Sequence, residues 1–295
     1  MKSFGQVMAR FSADPSLYAF IGSINPAMKI ADYHFSPVAG LTGESWRITA
    51  PNIDWLARQQ SVAKRQLGVN RRRERKLLRH VANQHFSPAI IAADQHWLVV
   101  NWLEGDVVTN EQFVELSDNG QLPQLLARLH HLPASGYRLD LRGQLARYGL
   151  LIDPTRHSPA WLRLQHDFLR RALPQPVKLA TLHMDVHPGN VLMAPTGLKL
   201  IDWEYAADGD IALDIAALFR SNHWSLPQQH IFLQHYCASE QGYHDINRLS
   251  RQILRWLPWI DYLMLMWFEV RWQQTGDEVF LQWASPLRQR FNLSF

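Results

Sequence analysis

Cysteine is almost absent: Cys237 stands alone in 295 residues. That excludes an internal disulfide and a cysteine-bound metal cluster, and it fits a reducing compartment. Long apolar runs are also missing. The most apolar stretch, WLPWIDYLMLMWF, is interrupted by Pro258 and Asp261 and falls short of the ~20 residues that span a bilayer, so it reads as a buried core helix. The leading MKSFGQVMARFSADPS lacks the apolar segment of a signal peptide, and the expectation is a cytoplasmic protein with no membrane partner. There is no internal repeat and no low-complexity linker. Nor does any zinc-finger, RNP or recognition-helix pattern accompany the basic run KRQLGVNRRRERK. Its cations, Lys64, Arg65, Arg71, Arg72, Arg73, Arg75 and Lys76, therefore read as a solvated helix face, and no nucleic-acid partner is expected.

What the chain has in quantity is apolar and aromatic surface. Apolar residues make up 47% of it and there are 12 tryptophans, enough for a packed core and for two modest domains or two lobes of one enzyme. The net charge of +4 and the pI near 9.3 favour an anionic partner such as a nucleotide but discriminate little.

The chemistry is concentrated in two strings, LHMDVHPGN and LIDWEYA, which carry Asp185, Asn190 and Asp202 in that order. A carboxylate at Asp185 can accept the proton of a substrate hydroxyl, while Asn190 and Asp202 offer the hard oxygen ligands that Mg²⁺ takes beside the phosphates of ATP. Pro188 and Gly189 break any regular element, so Asp185 to Asn190 reads as a loop. VLMAP and LKLID then read as a hairpin turning at Thr196 and Gly197, which returns Asp202 to Asn190. Together these read as a small-molecule kinase. A rival from another class is a zinc hydrolase, since His183, Asp185 and His187 alternate as metal ligands can; the asparagine that follows is a poor zinc ligand, and the second acid arrives in kinase order.

His183, Asp185 and Asn190 match the H-x-D-x-x-x-x-N loop of the aminoglycoside phosphotransferase and choline kinase group, distant relatives of the protein kinases, and Asp202 matches the metal-binding aspartate of that group. GLKLIDWEYAADGDIALDIAAL and WFEVRWQQTGD look most like its bacterial thiamine kinases, over about Val38 to Asp277. The resemblance implies an α/β, two-lobed protein-kinase-like fold. Residues 1–103 would form a small β-rich nucleotide lobe, with 1–35 an added segment of unassigned role, and 104–295 a mainly helical catalytic and substrate lobe. It implies ATP and Mg²⁺ as cofactors and thiamine as the acceptor, phosphorylated on its primary hydroxyl. Choline or another amino alcohol would satisfy the same physics, an aminoglycoside acceptor follows, and a nucleotide-binding regulator without turnover is the non-enzyme alternative.

The same resemblance implies roles for further residues. Asp185 would be the base, His183 a scaffold of the loop, and Asn101, Trp102 and Leu103 a hinge whose backbone pairs with adenine. AGLTGES places Gly40 and Gly43 where a phosphate-covering loop belongs, although two glycines three apart are also an ordinary turn. Arg58 stands where the group carries a phosphate-binding lysine, and arginine can bind phosphate bidentately without losing charge. Glu74 would be its partner or, equally, a solvated glutamate. If the strand continues past Asp202, Glu204 points the same way and would touch a metal or a cationic substrate, or merely make a surface hydrogen bond. Asp210 reads as a helix N-cap, and Asp214 one turn later as a brace for the loop. Trp267 and Glu269 are the expected acceptor contacts, because an aromatic face with a nearby carboxylate attracts a thiazolium by ~0.5–2 kcal/mol. Helical spacing is clear at Leu122, Leu125, Leu126 and Leu129, and helices are expected over 160–173, 211–220 and 249–272.

Overall fold

A computed structural model describes residues 14–38 and 45–293. The chain divides into two compact units. The first runs to Gln60 and resumes over Ala89–Trp102; the second comprises Ser61–Pro88 and Leu103 onward. Among the described residues no helix is long and apolar enough to cross a membrane.

The first unit holds α1 (Pro15–Ile24), β1 (His34–Val38), β2 (Ser45–Ala50), β3 (Ile53–Gln59), β4 (Ile90–Ala93) and β5 (Trp97–Asn101). Its strands form one sheet in the order β1-β2-β3-β5-β4, antiparallel throughout. α1 starts where Asp14 accepts from the Ser16 N–H and Pro15 supplies a fixed φ, the residue types that open helices. Its Leu17 and Ile21 enter the core with Tyr33, Ile48, Ala57, Trp97 and Val99, and Ser16 accepts from the Trp97 indole at 2.9 Å. The described part of the segment ahead of residue 35 thus covers one face of the sheet. Besides α1, Met28, Ile30 and Tyr33 pack against this core.

The second unit begins with α2 (Val62–Gln66) and α3 (Arg71–Val81). It continues with β6 (Asp106–Val107), α4 (Asn110–Asp118), α5 (Gln121–His131), α6 (Leu141–Leu151) and α7 (Pro159–Arg170). Then come β7 (Leu179–Leu182), β8 (Val191–Ala194), β9 (Gly197–Leu200), β10 (Ala207–Asp210), α8 (Ile211–Ser221), α9 (Leu226–Ala238), α10 (Ile246–Thr275) and α11 (Val279–Arg290). The expected hairpin is β8–β9, extended by β6, and β7 pairs with β10. The spacing at Leu122, Leu125, Leu126 and Leu129 lies on the buried face of α5. α10 packs against α8 and α11 and runs through Pro258. Asp261, which interrupts its apolar face, is buried between Arg220 and Arg290 at 2.7 and 2.6 Å.

Candidate functional site

The site is built at the ends of short strands in the second unit. β7 delivers His183 and Met184, and Asp214, near the start of α8, receives both of their backbone N–H groups at 2.9 and 2.7 Å. Met184 has a φ of +67°, a left-handed backbone unfavourable for a side chain of its shape by ~1–2 kcal/mol. The buried carboxylate fixes that turn, and the turn presents Asp185. Behind Asp214, His130 of α5 contacts the same carboxylate at 3.0 Å and the Tyr236 hydroxyl of α9 at 2.8 Å. Burial works against the Asp214 carboxylate, but the hydrogen bonds from His130 and the His183 backbone hold its pKa below the usual range.

Asn190 Nδ2 donates to the Asp185 carbonyl and to its Oδ2, both at 2.9 Å. The loop between them is a 3-10 turn over Pro188–Asn190, capped by the His187 ring through the Gly189 N–H. The side-chain nitrogen being committed to Asp185, the side-chain atom left to ligate a cation is Asn190 Oδ1. The Ile201 N–H donates to the Asn190 carbonyl at 3.0 Å, and the Ile201 carbonyl accepts from His183 Nε2 at 3.0 Å. These two bonds bring Asp202 back to the loop. Burial is the main cause that lowers the His183 pKa, so its ring is a neutral strut, packed edge-on against Trp203 at 4.8 Å. The His183, Asp185, His187 triplet is accordingly no metal cluster: among the described residues no group of three or more His, Cys, Asp or Glu is placed to hold an ion. His187 lies 3.7 Å from Asp185 Oδ2. Burial opposes its protonation, but the Asp185 bond and the charges of Asp185 and Asp202 raise its pKa.

Residues 35–250 match the model of the phosphotransferase enzyme family. The chain belongs to that family. It is similar to "Thiamine kinase" of Escherichia coli O9:H4 (strain HS), 42% identical over 202 residues that cover 67% of this chain and 70% of that protein. Among solved structures it is similar to choline kinase LicA from Streptococcus pneumoniae, with a TM-score of 0.73 at 17% identity over 95% of this chain and 98% of that one. LicA in complex with AMP gives 0.72 at 18% identity, over 94% and 97%. The phosphotransferase therefore has a kinase-like fold, with a small β-sheet N-terminal region and a helical C-terminal region.

Several expected site residues of this phosphotransferase stand elsewhere than the sequence implied. The strand does not continue past Leu200: Asp202 is left-handed, at φ 61° and ψ 63°, and Trp203–Tyr205 form a 3-10 turn. Glu204 consequently turns inward, 2% exposed, and accepts from Lys64 Nζ at 3.3 Å and Arg71 Nη2 at 3.1 Å. Its carboxylate is thus paired with two cations of the protein. Glu269 is paired in the same way. It is fully buried, and its oxygens take a two-point bond from Arg156 and another from Arg288 Nη1 at 2.5 Å. Trp267 is half-buried and its indole donates to the Tyr205 hydroxyl at 3.0 Å. Glu74 is no solvated residue: it is buried and accepts from Arg71 Nη1 at 2.5 Å. The basic run is likewise not wholly a solvated face, since Lys64 and Arg71 are buried.

In the first unit, Arg58 is buried on β3. The Asn101 N–H is committed to the Ala89 carbonyl at 2.9 Å and the Trp102 N–H to the Asp54 carbonyl at 2.8 Å. Gly40 and Gly43 lie outside the described residues. Sequence reasoning missed Lys64, Arg71, His130 and Tyr236. A signal existed for one pair: Arg71 and Glu74 fall at i and i+3 on the stripe that continues through Leu77, Leu78 and Val81, the buried face of α3, and charges on an apolar stripe are charges that will be paired.

Proposed function

We propose that this phosphotransferase moves the γ-phosphoryl group of ATP to the primary hydroxyl of thiamine, giving thiamine monophosphate and ADP. The observation that carries the chemistry is the locked pair Asp185 and Asn190, joined at 2.9 Å and tied through Ile201 to the Asp202 turn. The choice of thiamine rests on the 42% identity to the thiamine kinase relative. Asp185 orients the acceptor hydroxyl and takes its proton as the oxygen bonds to the γ-phosphorus and the bridging oxygen leaves with ADP. Fixing the carboxylate beforehand removes an ordering cost from the reaction.

Mg²⁺ takes hard oxygen donors, and the Asn190 side-chain Oδ1 with the Asp202 carboxylate meets that requirement. Bound there, it would neutralise phosphate charge. Arg58, Gly40 and Gly43 are proposed to contact phosphates. Since the Asn101 and Trp102 N–H groups are committed, the Leu103 N–H is the hinge donor proposed for adenine. Trp267, fixed by Tyr205, is the aromatic face proposed for the thiazolium cation.

The test is ATP consumption by the purified protein with Mg²⁺ and, separately, thiamine, choline or kanamycin, with the product identified by mass. Turnover is expected with thiamine, and Asp185→Asn should lower kcat by ~10²–10⁴-fold, the usual worth of a positioned base, with ATP affinity nearly unchanged. Turnover only with choline or kanamycin would reject the acceptor, and full activity of Asp185→Asn would reject the base.

A further inference from the structure

Four charged side chains that the mechanism does not use lie together in the second unit. Lys64 on α2, Arg71 and Glu74 on α3, and Glu204 after β9 are all 4% exposed or less. Arg71 spans the two carboxylates with different nitrogens, Nη1 to Glu74 at 2.5 Å and Nη2 to Glu204 at 3.1 Å, and Lys64 reaches Glu204 at 3.3 Å. A third cation joins through the backbone: Arg73 Nη2 donates to the Gly68 carbonyl at 3.0 Å and to the Glu204 carbonyl at 3.2 Å. Two cations and two anions balance within the buried set, which is the condition under which burying them is tolerable. The turn between α2 and α3 needs Gly68, whose φ is +88° and where a Cβ would meet the Gln144 side chain at 2.5 Å.

These charges converge on the residues directly after Asp202. Asp202 has a left-handed backbone without being glycine, and such a conformation persists only where its surroundings over-determine it. On its N-terminal side the Ile201 carbonyl is held by His183. On its C-terminal side Trp203 lies parallel to Phe86, with centroids 6.1 Å apart, and donates from its indole to the Leu200 carbonyl at 2.8 Å. Glu204 is gripped at both its carbonyl and its carboxylate.

We infer that Lys64, Arg71 and Arg73 form a cage which, through Glu204, sets the backbone of Asp202 and hence the affinity of the site for Mg²⁺. The inference rests on the reading that Asp202 is a metal ligand and deepens it: Glu204 is a positioning residue, and α2 and α3 control a metal ligand more than a hundred positions away. Arg71 is the discriminating residue, because a lysine in its place keeps the charge but has a single nitrogen and not the planar fork whose two nitrogens reach one carboxylate each.

The experiment is calorimetric titration of ATP into the full chain at a series of Mg²⁺ concentrations, for the wild type, Arg71→Lys and Glu204→Gln, with thiamine KM measured alongside. Both variants should raise the Mg²⁺ concentration that gives half-maximal enhancement of ATP binding by at least about tenfold, the worth of one lost supporting contact around a metal ligand. Metal-free ATP affinity and thiamine KM should both stay within about twofold, because the cage acts on Asp202 alone. General loosening of the fold would weaken metal-free ATP binding as well and would overturn the inference, as would an unchanged Mg²⁺ response or a raised thiamine KM with a normal Mg²⁺ response. Should Glu204→Gln fail to fold, Arg71→Lys decides on the same titration. A wild type whose ATP binding ignores Mg²⁺ would instead reject the metal-ligand reading itself.

Discussion

Asp214→Asn should both destabilise the protein and misplace Asp185, the proposed base. The Asp214 carboxylate is 1% exposed; Oδ1 accepts the Met184 N–H, and Oδ2 accepts the His183 N–H and the His130 ring. Asparagine turns one of these oxygens into an NH₂ group, so whichever way the amide lies, at least one backbone N–H faces another donor. A buried donor left without an acceptor costs ~1–3 kcal/mol, and losing a bond to a charged group ~1.5–3 kcal/mol. With the carboxylate charge that His130 contacts removed as well, the total should be about 3–5 kcal/mol, as for other broken buried pairs. That exceeds the ~1–2 kcal/mol gained when Met184 leaves the left-handed region, so the turn relaxes and carries Asp185 with it. At ~2–4 °C per kcal/mol for a chain of this size class, thermal unfolding should fall by roughly 6–20 °C. A displacement of ~1 Å at the base corresponds to ~10²-fold in kcat. Scanning fluorimetry and steady-state kinetics on one preparation measure both. A Tm within about 2 °C of wild type would show that the buried carboxylate does not hold the loop.

Glu269→Gln leaves Arg156 and Arg288 facing a neutral amide in a fully buried position. It should cost about 3–5 kcal/mol of stability while thiamine KM stays within about twofold, as expected of a residue that touches only protein. A raised KM at an unchanged Tm would return Glu269 to the acceptor site. Acid should also destabilise the fold. His183 and His157, lowered chiefly by burial, and Asp214, held low by His130 against its burial, all bind fewer protons folded than unfolded. Their stabilisation is complete above the ordinary values of 6.5 and 3.8 and is lost as pH falls through the folded ones. His187, raised by Asp185 despite its burial, acts in the opposite sense. Its stabilisation is present below 6.5 and lost as pH rises, and solvent screens it because the side chain is 38% exposed. Tm should therefore decline below about pH 6.5; a higher Tm at pH 5 than at pH 7 would refute the assignment.

How much of this was legible depended on distance along the chain. Asp185 and Asn190 are five positions apart, and the hairpin that returns Asp202 is a single turn. Chain order, one proline and one glycine were enough to predict that these residues meet, because a short loop has few ways to close. The buried helix faces followed from periodicity alone, as with Leu122, Leu125, Leu126 and Leu129 on α5. Charge partners were of another kind. Glu204 pairs with Lys64 across 140 positions, Glu269 with Arg156 across 113 and Asp214 with His130 across 84. No local pattern states which cation an acid will meet at such a separation. Left to sequence, Glu204 and Glu269 were carboxylates near an aromatic-rich site, fit for a cationic substrate; packing surrounded each with two cations of the protein itself. Local sequence determined the loop from Asp185 to Asn190, the hairpin and the helical core, since neighbours in a chain can reach only a few arrangements. Which buried charges act on substrate and which only hold the backbone was decided by tertiary structure, because a charge taken out of water must be paired by whatever the fold brings beside it.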